Sequence, residues 1–177
     1  MILGMSLSTF TVLHVVISLV GIASGLIVVY GLIAGKRLDN WTAIFLITTV
    51  LTSATGFLFP FKHLLPSHIV GILSLLVLAV AIVARYPRHL EGGWRRTYVV
   101  CAMVALYLNC FVLVVQCFLK VPALHALAPN GNEPPFLIAQ IALLAVFVLL
   151  TIVAARRFQC LPPEAASSRS SARGKVA

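Results

Sequence analysis

Between residues 8 and 34 the chain reads STFTVLHVVISLVGIASGLIVVYGLIA, without one Asp, Glu, Lys or Arg. An α-helix rises about 1.5 Å per residue and a bilayer core is about 30 Å thick, so this run is long enough to cross a membrane. Residues 41–59, 67–84, 97–119 and 135–155 form four further apolar runs of the same kind. The expected fold class is therefore all-α, a polytopic membrane helix bundle with five transmembrane helices in one domain over residues 1–158. Residues 159–177 are rich in Ser, Ala and Arg and read as a disordered cytoplasmic tail. The first run has no basic segment before it and exceeds the short apolar core of a secretory signal, so it reads as a retained helix.

Charge excludes some partners and orients the rest. Only 10% of the chain is charged, against about 25% in soluble domains, and the mean hydropathy is +1.08. The net charge of +9 does not indicate nucleic acid, because the basic residues stand in pairs between apolar runs and not along one face. The bilayer is the implied partner. Lys36, Arg37, Arg85, Arg88, Arg95, Arg96, Arg156, Arg157, Arg169, Arg173 and Lys175 all fall on one side of the expected membrane, against Lys62 and Lys120 on the other. Cytoplasmic loops are enriched in Lys and Arg, which places the N-terminus outside and the C-terminus in the cytoplasm. Trp41, Trp94, Tyr30, Tyr86 and Tyr98 lie near run ends, as rings at a headgroup layer do.

The chemically densest stretch is TTVLTSATGFLFPFKHLLPSHIVG, residues 48–71. It joins a Thr/Ser stripe to three phenylalanines, Lys62, His63 and His68. Hydroxyls in such a stripe can bond to the carbonyls of the preceding turn and need no ligand. In the first run His14, Ser18, Gly21 and Gly25 share a face, and Gly21-xxx-Gly25 permits close helix packing, within the bundle or between copies. In the fourth, Ala102, Ala105, Asn109, Gln116 and Lys120 share a stripe, with Asn109 near mid-membrane, where an amide must find a partner. His14, His68, Gln116 and Gln140 fall at similar depth below the outer surface. With Lys62, His63, Lys120, His125 and Glu133 in the outer loops, the versatile side chains gather at the periplasmic side.

That layer suggests a non-enzymatic binding or accessory role: a shallow polar pocket for a lipid-soluble molecule or a membrane-protein partner, in which His14, Gln116 and Gln140 point inward together. A second reading is electron transfer, with His14 and His68 as axial ligands of a haem b, or with a bound quinone. A third is a small transporter, although no acidic residue lies inside a run and no proline breaks one at mid-membrane. A metal held by His63, His68 and Glu133 has usable ligand types but no strong spacing. No Ser/His/Asp arrangement or paired carboxylates can be placed, so no catalytic residue is assigned. Cys101, Cys110, Cys117 and Cys160 show no CxxC spacing.

In TSATGFLFPF, LPSHIVGILSL, ALYLNCFVLVVQCFLKVPALHALAP and EPPFLIAQ the chain resembles a family of small five-span inner-membrane proteins of proteobacteria, to which no activity is attached. The resemblance covers most of the chain except the tail. It implies a five-helix layout and a cytoplasmic-membrane location and transfers no catalytic residue; Lys62, His63, Asn109, Gln116, Lys120 and Glu133 lie in its recognisable blocks.

Overall fold

The Ser6 hydroxyl accepts a hydrogen bond from Thr9 N–H at 3.1 Å and so caps the first helix, α1, Leu7–Ile33. The structure, a computed structural model, describes residues 4–59 and 66–158. Lys62, His63, Cys160 and the tail lie outside the described residues. After α1 come α2 (Asp39–Gly56), α3 (Pro66–Arg85), α4 (Trp94–Lys120), a short α5 (Pro122–Leu127) and α6 (Pro134–Arg157).

All five apolar runs are helical, with shifted ends. The second stops at Gly56, short of Phe59, where the Phe57 N–H turns back to the Ala54 carbonyl and the Leu58 N–H to the Thr55 carbonyl. The fourth starts at Trp94, ahead of Thr97, because Trp94 N–H already finds the Glu91 carbonyl. The helix α5 is an addition to the expected layout. Proline at its first position fits, since the missing N–H would have had no helical partner there.

Among the described residues four helices, α1, α3, α4 and α6, are long and apolar enough to cross a membrane. The chain is thus a polytopic membrane protein. The second helix falls short of the same measure because Asp39, Asn40 and a series of hydroxyls dilute its apolar residues.

α4 is the axis of the bundle and packs on α1, α3 and α6, while α2 lies between α1 and α3. Phe45, Leu78, Met103, Leu106 and Phe158 fill the interior with almost no exposure. The outward faces are equally apolar: Leu137, Ile138, Ile141, Val148 and Leu149 of α6 are all exposed. In water such a surface would aggregate, whereas acyl chains solvate it.

Small residues set the closest helix contacts. A Cβ on Gly25 would stand 2.5 Å from Leu106 Cδ1 and 3.0 Å from the Phe45 ring. One on Gly21 would meet Thr48 Oγ1, Thr49 Oγ1 and Asn109 Nδ2 at 3.2–3.4 Å. The glycine face of α1 is therefore turned inward onto α2 and α4, not outward toward a second copy.

Candidate functional site

At the end of the bundle where α1 begins and α2 ends, His14 Nδ1 lies 2.8 Å from Thr55 Oγ1. The Thr55 hydroxyl has a single hydrogen, and it is directed at the Leu51 carbonyl at 2.6 Å. The contact with His14 must then be donated by the imidazole. In the neutral ring this fixes the proton on Nδ1 and leaves Nε2 with a lone pair that accepts a hydrogen bond or binds a metal. The Phe59 ring meets the imidazole edge-on, with centroids 5.2 Å apart, and Phe10 packs on Phe59 at 5.0 Å. Gly56 adds no side chain to this corner; a Cβ there would come 3.9 Å from His14 Cε1.

His68 is buried near the start of α3, its ring 5.7 Å from that of Phe57. Phe57 in turn lies over Gly71 of α3, where a Cβ would be 3.0 Å from the ring. The two imidazoles are thus held by different phenylalanines at the end of α2, on helices that flank α2.

The remaining candidates are distributed differently from the expected layer. Asn109 is half-buried; its amide points at Thr49 Oγ1 over a long 3.5 Å and beside Gly21, so it joins α4 to α2 at mid-helix. Gln140 is buried and donates from Nε2 to the Phe111 carbonyl at 3.3 Å, tying α6 to α4, while its buried Oε1 has no hydrogen-bond partner among the described residues. Gln116 and Lys120 are exposed. The expected inward convergence of His14, Gln116 and Gln140 therefore does not include Gln116. Asn109 of α4 stands level with Thr49 of α2, and from there α4 continues to Lys120 while α2 ends at Gly56, so α4 extends about 6 Å beyond α2 and Gln116 lies at the height where α2 stops. Gln116 is exposed there although it lies on the stripe of buried Ala102 and Ala105.

Glu133 serves its own turn. Its carboxylate accepts from Asn130 N–H at 3.0 Å, Asn130 Nδ2 at 2.8 Å and Asn132 N–H at 3.1 Å, just ahead of α6. Desolvation would raise its pKa, but these hydrogen bonds outweigh that effect and hold the carboxyl down to about 2. Among the described residues no three His, Cys, Asp or Glu side chains are grouped to hold a metal ion.

Against known proteins, the chain matches no family model, no curated protein and no solved structure. What it does must be read from its own side chains.

The other end of the bundle carries a cluster that the sequence did not reveal. Arg85, at the last turn of α3, donates from Nη2 to Asp39 Oδ1 at the first turn of α2. Arg37 Nε stands 3.8 Å from the same oxygen. The Arg85 side chain is only 5% exposed and Asp39 is 65% exposed, so the carboxylate reaches from the rim to a sunken guanidinium. That guanidinium also lies over the rings of Tyr98, at 5.3 Å, and Tyr86, at 5.9 Å. The Tyr98 hydroxyl is buried near Thr42 and Arg85, but neither reaches hydrogen-bond geometry with it. Asp39 beside Lys36-Arg37 was the one available signal, in a chain with only 4 acidic residues.

Proposed function

We propose that this is a five-span cytoplasmic-membrane protein of a bacterium, with its N-terminus outside, that binds a lipid-soluble molecule or a partner subunit at its outer end and is not an enzyme. α2 is counted as a span because its 18 residues cover about 27 Å and it is held between the spans α1 and α3. Its hydroxyls add little polarity, since Thr48 and Thr55 donate to carbonyls one turn back at 2.7 and 2.6 Å. Among the described residues Lys36, Arg37, Arg85, Arg88, Arg95, Arg96, Arg156 and Arg157 stand at or just beyond the helix ends on the side of Asp39, and Lys120 at the other. That asymmetry supports a cytoplasmic Asp39 end. The resemblance to small five-span proteobacterial proteins supports the same layout.

The binding reading rests above all on His14. Its Nδ1–H is committed to Thr55, and its Nε2 is left as an acceptor in a corner lined by Phe10 and Phe59. A ligand meeting it would bring a hydroxyl or amide donor on an apolar body, as a quinol does. The test is to purify the full chain in mild detergent, extract it with solvent and identify bound quinones and lipids by mass spectrometry, with His14→Ala alongside. A lipid-soluble molecule present at about one per chain and lost in His14→Ala is expected; the same extract from both proteins would overturn the reading. A Soret band in the purified protein would favour a haem instead.

A further inference from the structure

The two ends of the bundle differ in chemistry, and the Asp39 end has a formed recess. Arg37, Asp39, Arg85, Tyr86 and His89 line an open groove of about 250 Å³ between the start of α2 and the α3–α4 loop. Two guanidiniums and one carboxylate leave a single positive charge over it. A guanidinium carries five N–H donors in a planar fork, so the bond from Arg85 to Asp39 leaves donors over, and such forks suit phosphate oxygens. The N-cap of α2, Leu38, makes no side-chain capping bond. The first N–H groups of α2 therefore add their partial positive charge near the mouth of the groove.

The backbone on the far wall is unusual. His89 and Leu90 have φ of 47° and 60°, a left-handed conformation that residues other than glycine enter at a cost. Leu90 is only 3% exposed and belongs to the hydrophobic core, which anchors the loop there. The preceding His89 is exposed and lines the groove. Arg88 does not line it; its guanidinium sits 5.0 Å over the Trp94 ring. Trp41 and Tyr86 are exposed at the same end, as rings at the level of lipid phosphates are.

We infer that this groove is a site for the phosphodiester of an anionic phospholipid, gripped by Arg37 and Arg85 with His89 as a further donor, while Asp39 keeps the two guanidiniums in position. The charge left over matches the single negative charge of phosphatidylglycerol. The proposal concerns the end opposite His14 and is independent of what binds there.

The test uses the delipidated full chain in neutral detergent, titrated with phosphatidylglycerol and followed by native mass spectrometry. Arg37→Gln is the first variant, since Arg37 is partly exposed and its loss leaves the Arg85 pair intact. His89→Asn is the second, because asparagine tolerates the left-handed backbone but shortens the donor. Arg157→Gln, outside the groove, controls for diffuse charge. One saturable lipid per chain is expected, with affinity about tenfold lower in Arg37→Gln, several-fold lower in His89→Asn and within twofold of wild type in Arg157→Gln. Equal losses in Arg37→Gln and Arg157→Gln, unchanged binding in both groove variants, or phosphatidylcholine held as tightly would each overturn the site. Displacement of the lipid by an equal concentration of inorganic phosphate would assign the groove to a soluble anion and refute the lipid.

Discussion

Arg85 of α3 and Asp39 of α2, 46 positions apart in the chain, form an ion pair in which the base is buried and the acid is not. The exposed carboxylate keeps part of its hydration, while the guanidinium has exchanged water for Asp39 and two tyrosine rings. The arrangement locks the start of α2 to the end of α3, the next helix.

Removing the acid strands the base. Asp39→Asn should destabilise the bundle by about 1–3 kcal/mol, the cost of a buried group left short of a partner, and less than for a fully buried pair. Thermal unfolding in detergent measures this. A melting temperature equal to that of wild type would show that water already satisfies Arg85.

The glycines of α1 should differ in sensitivity. Gly25→Ala must displace Leu106 and Phe45, both almost wholly buried, and should cost about 1–3 kcal/mol as overpacking does. Gly21→Ala meets hydroxyl and amide atoms at 3.2–3.4 Å and should cost less. The order of the two in a thermal-stability assay is the check. A loss of dimer without a loss of monomer stability would instead mean that the face is shared between copies.

Thr55→Val removes the acceptor of the His14 proton while keeping the side-chain shape. The expected result is a mixture of imidazole tautomers where wild type has only Nδ1–H, read from ¹⁵N chemical shifts, with a stability loss of about 0.5–1.5 kcal/mol for one hydrogen bond. A single Nδ1–H tautomer in the variant would show that something other than Thr55 selects it.

The Glu133 turn should depend on pH in one direction. Its folded pKa, about 2, lies below the ordinary carboxylate value, so its contribution is complete above about 4.5. That contribution is lost as pH falls from there toward 2, when the carboxyl protonates and releases the Asn130 and Asn132 N–H groups. A carbon-13 titration of the side chain should show a midpoint well under 3.5; one at 4.5 would mean that the three hydrogen bonds do not hold in solution. Glu133→Gln should loosen the turn at neutral pH and remove its acid dependence.

Much of the fold could be read from residue order. The run at 135–155 emerges as α6, Pro134–Arg157. Gly21 and Gly25 read as a packing face, and the structure shows which helices that face meets. Gln116 is exposed where its stripe suggests burial, because helical phase gives a direction around α4 but not the height at which α2 stops. The Asp39–Arg85 pair gave no periodic signal, since charged residues at run ends look alike whether they face water or each other.

Chain order alone determined that long apolar segments would become helices, because in hydrocarbon a backbone must satisfy its own hydrogen bonds, and only segment length and polarity enter that condition. It also determined the uneven distribution of basic residues along the chain. Tertiary structure decided which polar groups found partners: Thr55 for His14, the Phe111 carbonyl for Gln140, Asp39 for Arg85. Those pairings depend on the relative rotation and height of neighbouring helices. Rotation and height follow from side-chain packing at contacts such as Gly25 against Leu106 and Phe45, which no single segment encodes.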